Sequence, residues 1–106
     1  MNTSSVLFNP KSEIQYSPGS IVSKIILKNS CGNVTLFAFD AGQQLSDHAA
    51  PYDVLLQILD GSANVVLDGE LYTCKEHDVL FMKANAVHSV SAREPFKMML
   101  TMIKGQ

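Results

Sequence analysis

The sequence has little positive charge and no basic run, so it lacks the electrostatic surface that binding to nucleic acid or anionic lipid requires. Eight Lys and Arg residues stand against ten Asp and Glu residues, and the formal net charge is −2. Proteins that bind phosphates through charge usually concentrate Lys and Arg on one face. We therefore expect neither a nucleic acid nor a membrane surface as a partner.

Long apolar runs are also missing. No segment approaches the roughly 20 apolar residues that cross a bilayer, and the first twenty residues are polar, without the charged and then apolar layout of a signal peptide. These absences predict a cytoplasmic protein. The two cysteines, Cys31 and Cys74, form no CxxC pair, so we expect two reduced, partly buried thiols.

The common catalytic signatures are absent as well. The sequence has no Ser-His-Asp layout, no nucleophile elbow and no phosphate-binding loop. Its carboxylates are scattered among turns, which does not suggest a glycosidase-type pair.

Short strand patterns separated by turn signals run along the chain, and no window has a convincing helical period. The 106 residues, 46% of them apolar, suffice for one domain with a sizeable core. We expect strands at residues 21–28, 34–40, 52–59, 63–67, 70–74, 79–82, 88–92 and 96–103. Turn signals recur about every 8–12 residues, which is typical of a β-sandwich or barrel. The strongest signal, Asp68-Gly69, predicts a two-residue hairpin turn.

Two of the predicted strands, 52–59 and 96–103, are apolar on both faces. Such strands lie between two buried surfaces, or one face contacts a second subunit. An isolated monomer would then expose a large apolar patch, which soluble proteins avoid. We therefore expect a homodimer.

Glycine and histidine spacings in the middle of the chain resemble the first motif of the cupin family of small jelly-roll barrels. In that motif a Gly is followed after five residues by His, after one more by a second His, after three or four by Glu, and after six by Gly. Gly42, His48 and Gly61 fall at the corresponding places. Ala50 and Val54 stand where the second His and the Glu would be.

The second cupin motif is matched less completely. It runs Gly, five residues, Pro, one, Gly, two, His, three, Asn. His88 falls on the motif histidine. The opening Gly place holds His77, the Pro place Lys83, the second Gly place Asn85 and the Asn place Ala92.

The resemblance implies an all-β fold, a cupin-type jelly-roll barrel or double-stranded β-helix, as one domain over residues 1–106. The motif-bearing core would span residues 34–102, with a hairpin at 62–76 between the motifs and N-terminal strands at 12–29. Cupins of this size commonly form dimers through their N-terminal strands. This agrees with the two predicted strands that are apolar on both faces.

The resemblance also implies that His48 and His88 meet inside the barrel, on facing strands near one open end. Cupin metal sites usually have three histidines and one carboxylate. Two neutral imidazoles give no charge compensation for a divalent cation, which disfavours iron and manganese. Zinc, nickel or copper can still bind two histidines with waters. Alternatively, the pair hydrogen-bonds to a small molecule or is satisfied within the barrel wall.

We expect a ligand pocket lined by His48, His88, Tyr52, Phe81 and Met102. The methionines on the predicted strands have two interpretations, which are core or interface packing and an adaptable pocket lining. Outside the pocket, the turn around residue 77 and the loop lysine at 83 are expected in solvent.

The favoured function is a small cupin that binds a small molecule in its barrel, with a weak metal site or none. The alternative is a metal-dependent cupin enzyme of the dioxygenase or isomerase type that uses His48 and His88. A third interpretation is a structural or regulatory protein whose barrel is filled by large side chains, namely Leu56, Ile58, Phe81 and Met102. The sequence names no substrate and leaves open whether the protein is an enzyme.

Overall fold

The computed structural model describes residues 5–104, and this part of the chain consists of β-strands joined by turns and loops. The strands are β1 (Ile21–Asn29), β2 (Gly32–Phe39), β3 (Gln44–His48), β4 (Asp53–Asp60), β5 (Ser62–Leu67), β6 (Glu70–Lys75), β7 (Val79–Met82), β8 (His88–Ser91) and β9 (Phe96–Ile103). The eight predicted strands are all present within one or two residues of their expected bounds. Between residues 5 and 104, no helix is long and apolar enough to cross a membrane.

Strand β3 was not predicted. Its sequence, QLSDH, contains one apolar residue, Leu45, which packs against the core. A register shift between Leu45 and His48 interrupts its pairing with β8, and such a bulge destroys the alternation that identifies a strand. β3 is also a short strand at the edge of its sheet, so little of its surface needs to be apolar.

The strands form two antiparallel sheets around one core. The five-stranded sheet has the order β1-β2-β9-β4-β7, and the four-stranded sheet has the order β3-β8-β5-β6. Buried residues of both sheets meet in one cluster, for example Phe39 and Leu56 with Val65 and Val90. Every second residue of β4 (Val54, Leu56, Ile58) points into this core, as the period of a strand requires. The all-β prediction is confirmed.

A second apolar cluster lies on the outer face of the five-stranded sheet. Ile14, from the segment before β1, packs there with Leu36, Ala38 and Leu59. This covering explains in part why β4 is apolar on both faces. The strands expected at 12–29 reduce to β1, because residues 12–20 form turns and irregular chain.

The Asp68-Gly69 turn joins β5 to β6 as predicted. Both residues have positive φ, 48° and 86°, which is the conformation of a type I′ turn. The two cysteines differ from one another: Cys74 is buried and Cys31 is exposed, and both are free thiols. Cys31 is therefore not the partly buried residue we expected, because it lies in the turn between β1 and β2.

Candidate functional site at one end of the barrel

His48 and His88 are direct partners in the ladder between β3 and β8. Their ring centroids are 4.1 Å apart, with an interplanar angle of 61°. The two histidines therefore meet as predicted, but on neighbouring strands of one sheet and not on facing strands. His88 is buried, whereas His48 is exposed at the edge.

Both imidazoles are oriented by the same kind of contact. The Nδ1 atom of His48 lies 2.8 Å from the carbonyl oxygen of Ser46, and Nδ1 of His88 lies 3.2 Å from that of Ala86. A carbonyl oxygen only accepts, so each Nδ1 carries the proton and donates it. In the neutral form, each Nε2 therefore has a free lone pair for a ligand.

The strand registers place an apolar row of side chains at the same end of the barrel. Met82, Val54 and Met102 are paired in sequence across β7, β4 and β9. These side chains belong to the core cluster or pack against it. The loop 49–52 connects β3 to β4 and the loop 83–87 connects β7 to β8, so this row and the histidines share one end.

Hydrogen bonds tie these two crossover loops together. The backbone N–H of Asn85 donates to the carbonyl of Ala50 at 2.7 Å. The N–H of Ala84 donates to a carboxylate oxygen of Asp53 at 2.9 Å. These bonds fix the loop that follows His48 against the loop that precedes His88, which preorganises the histidine pair.

The hairpin turn provides a further support. Asp68 accepts the N–H of Val87 through Oδ1 at 3.0 Å, and its own N–H donates to the carbonyl of Val87 at 2.8 Å. Val87 directly precedes His88, so the turn fixes the backbone from which His88 projects. Sequence reasoning identified Asp68 only as a turn residue, since a contact across 19 residues leaves no local signal.

The surroundings of His88 favour its neutral form. Burial lowers the pKa of the His88 imidazole below its ordinary value, and the nearby His48 lowers it further. The Ala86 carbonyl and Asp68 act in the opposite direction. In the neutral form the Nε2 atom of His88 keeps its lone pair.

The remaining pocket residues of the prediction fall into two groups. Met102 lies in the apolar row, and Tyr52 lies just before β4, half-buried, with the Lys104 Nζ 5.7 Å from its ring centroid. Phe81 is on the other face of its sheet, 54% exposed and opposite Leu55. The prediction that Phe81 lines the pocket or fills the barrel is therefore wrong. The side chain of the neighbouring Met82 points into the core instead.

The residues that depart from the second motif keep its backbone geometry. His77 and Asn85 stand at the two glycine places, and both have positive φ, 77° and 70°. Few non-glycine residues adopt this conformation. The alignment of the second motif is thus supported by the backbone as well as by His88. His77 and Lys83 are exposed, as expected.

Below the apolar row, the interior is filled by side chains. Leu56, Ile58 and Met98 are completely buried. His48 is the exposed member of the pair, so a ligand would reach the histidines from the side of His48.

No protein-family model matches the chain, and no curated protein matches it. It is similar to a conserved protein of unknown function from Streptococcus pyogenes, with a TM-score of 0.90 and 27% identity over 100% of this chain and 92% of that one. It is also similar to a cupin superfamily protein from Desulfitobacterium hafniense, with a TM-score of 0.84 and 26% identity over 89% and 87% of the two chains.

A third similar structure is a cupin 2 conserved barrel domain protein from Leptotrichia buccalis. It is 34% identical with a TM-score of 0.88, and the match covers 92% of this chain but 47% of that one. The chain thus spans about half the length of that protein. The two sheets, their strand order and these likenesses define an all-β jelly roll of the double-stranded β-helix type. The chain has the fold of the cupin proteins, as the motif spacings implied.

Proposed function

We propose that the end of the barrel with the histidine pair binds a small organic molecule through the Nε2 atoms of His48 and His88. The observation that carries this proposal is the matched orientation of the two rings, in which each Nδ1 is engaged by a carbonyl. Two adjacent acceptors fixed in this way suit a ligand with neighbouring hydroxyl or N–H donors.

The apolar row supports an organic ligand over a small ion. Met82 and Met102 flank Val54 on the opposite sheet, and flexible thioether side chains adapt to irregular apolar shapes. A ligand with one polar edge and one apolar face would satisfy both sides of the site. The two free cysteines fit the cytoplasmic location expected from the sequence.

The donor set does not fit an octahedral iron or manganese ion. Among residues 5–104, no group of three or more His, Cys, Asp or Glu side chains lies close enough to hold an ion. The Glu place of the first motif is the buried Val54, so no carboxylate offsets the charge of a hard cation there.

The alternative is a metal-dependent enzyme of the dioxygenase or isomerase type that uses the two histidines with zinc, nickel or copper. One observation favours it: the Nδ1 contacts to carbonyls are the same outer contacts that orient histidine ligands in metal sites. The two imidazoles supply two of the four ligands of a tetrahedral metal site, and water or substrate would have to supply the other two.

A fragment screen followed by NMR tests the proposal. The expected result is a set of hits that shift the ring resonances of His48 and His88 and the methyl resonances of Met102, and that lose binding in His48→Ala. His77→Ala is the matched control, because His77 is exposed in a distant turn. Hits that all map elsewhere, or that bind His48→Ala unchanged, would reject the proposal. Elemental analysis of protein purified without a histidine tag tests the alternative separately.

A further inference from the structure

The outer face of the four-stranded sheet carries two adjoining open cavities. One, of about 410 Å³, is lined by Ser62, Asn64, Thr73, Arg93 and Glu94. The other, of about 440 Å³, is lined by Gln44, Leu45, Ser46, Asp47, Ser89, Val90 and Ser91. We refer to both together as the outer groove.

The strand register joins the two cavities into one row. Gln44 pairs with Ser91, Ser91 with Asn64, and Asn64 with Thr73. This row crosses all four strands, and its residues alternate with core residues such as Val65 and Val90. Directly paired side chains on a sheet lie about 4.5–5.5 Å apart, so the polar groups of this row form one continuous strip.

Some polar groups of the outer groove are already oriented. The Thr73 hydroxyl donates to Oδ1 of Asn64 at 3.2 Å, which leaves the amide NH₂ of Asn64 as an outward donor. The Ser62 hydroxyl donates to Oε1 of Glu94 at 2.8 Å, which leaves Oε2 as an acceptor. Arg93 forms no ion pair within the described residues and adds further donors.

The charge of the outer groove selects against anionic ligands. Arg93 contributes one positive charge, while Glu94 and Asp47 contribute two negative ones. The net charge of −1 disfavours phosphates and carboxylates. A neutral polyol is favoured, because each of its hydroxyls both donates and accepts and can use the mixed set of amide, hydroxyl and carboxylate groups.

We propose that the outer groove is a binding site for a neutral saccharide, separate from the histidine site at the end of the barrel. Ser91 and Thr73 in the row have short side chains, which leave room for a sugar ring. Because no aromatic side chain lines the groove, we expect weak binding, on the order of 1 mM.

The test is an NMR titration of the full chain with three neutral trisaccharides (maltotriose, cellotriose and mannotriose), and with glucuronate as an anionic probe. At least one trisaccharide should shift backbone amides of residues 62–64, 73, 93 and 94, which do not flank the histidines, whereas glucuronate should not. Asn64→Ala and Glu94→Gln should each weaken binding about tenfold or more, as expected for the loss of a well-made polar contact. Glu70→Gln is the control, since Glu70 is on the same sheet outside both cavities.

Three outcomes would overturn this proposal. The first is that none of the trisaccharides shifts these amides at concentrations of about 10 mM, well above the expected dissociation constant. The second is that glucuronate binds as well as the neutral sugars. The third is that all shifts appear around His48 and His88, which would support the proposed function and reject the outer groove, so the two proposals can fail independently.

Discussion

His48 and His88 face each other in one antiparallel ladder, 4.1 Å apart between ring centroids, yet one ring is exposed and the other buried. Burial lowers the pKa of His88 and favours its neutral form, whereas His48 lies at the exposed edge of the sheet.

The first prediction concerns pH. The folded-state pKa of His88 is lowered, mainly by burial, from an ordinary value of 6.5. Below that value the unfolded chain therefore binds more protons than the folded chain at this site. The contribution of neutral His88 to stability is fully present above the unfolded pKa and is lost as the pH falls from there toward the lower folded pKa.

Urea denaturation across this pH window measures whether the free energy of unfolding rises or falls with pH. The free energy of unfolding of the wild type should fall on acidification, and the slope should be shallower in His88→Leu. His77→Leu serves as the control, because the His77 side chain is 83% exposed, and it should keep the wild-type slope. If the free energy of unfolding depends on pH equally in the wild type and in His88→Leu, the pKa of His88 is not lowered in the folded protein.

The second prediction restores the missing carboxylate. Val54→Glu should strengthen zinc binding at the histidine site and shift selectivity toward iron or manganese, because a hard oxygen ligand is added. The buried Glu should also destabilise the metal-free protein, so added metal should raise the melting temperature. Zinc binding to the wild type should weaken as the pH falls through the imidazole range near 6.5, because protons compete with zinc for the ring nitrogens.

Leu56→Glu is the matched control for this experiment. Leu56 points into the same core from the same strand, two residues further from the histidines along β4. The Leu56→Glu protein should be destabilised, and added metal should not raise its melting temperature. If folded Val54→Glu gains no affinity for either ion, Val54 does not reach the histidines and the alignment of the first motif is wrong.

The contrast between Val54 and Phe81 shows what the sequence could predict and what it could not. Val54 lies in a long strand whose one interior polar residue, Gln57, lies on the opposite face, and the motif spacing places Val54 near His48. Phe81 lies in the run VLFM, in which four successive apolar residues hide the alternation, so the sequence could not decide which side chain points inward. β3 was missed because its bulge interrupts the alternation, and the same bulge brings His48 opposite His88.

The third prediction concerns the hairpin turn that supports His88. Gly69 has a φ of 86°, which a β-branched residue adopts only with strain. Gly69→Val should lower the free energy of unfolding by about 1 kcal/mol or more. Gly69→Asn, which tolerates positive φ, should lose less. Equal denaturation midpoints for the wild type and Gly69→Val would contradict the turn assignment.

The fourth prediction concerns the segment that covers the outer face of the five-stranded sheet. The Tyr16 hydroxyl donates to Oδ2 of Asp60 at 2.6 Å, and this bond is the main cause that lowers the pKa of the Asp60 carboxyl. A lowered carboxyl pKa contributes stability above the ordinary value of 3.8, and this contribution is lost as the pH falls through the folded pKa.

In Tyr16→Phe, the pKa of Asp60 should rise toward its ordinary value and the protein should lose about 1 kcal/mol at neutral pH. Carbon-detected NMR titration of the carboxyl and urea denaturation measure the two effects. Tyr72→Phe is the control, since its hydroxyl donates to exposed Glu70 at 3.1 Å and should contribute little. An unchanged Asp60 pKa in Tyr16→Phe would show that the hydroxyl is not its main partner.

The last prediction concerns assembly. The part of the outer sheet face that Ile14 and its neighbours leave open exposes large apolar side chains: Leu55, Val79, Phe81 and Ile103. Leu55 and Phe81 are direct partners in the ladder between β4 and β7, so they form a continuous patch. We propose that a second copy of the chain covers this patch, because apolar surface of this kind is stabilised by burial. Light scattering at micromolar concentration should then give twice the chain mass of 11.6 kDa.

Phe81→Glu should shift the mass toward that of a single chain, because a charge in the centre of an apolar interface cannot be solvated there. Leu71→Glu is the matched control: Leu71 is 64% exposed on β6 of the other sheet, away from the patch. It should leave the dimer intact. A mass of 11.6 kDa for the wild type would reject the dimer, and a Phe81→Glu protein that remains dimeric would place the interface on another surface of the barrel.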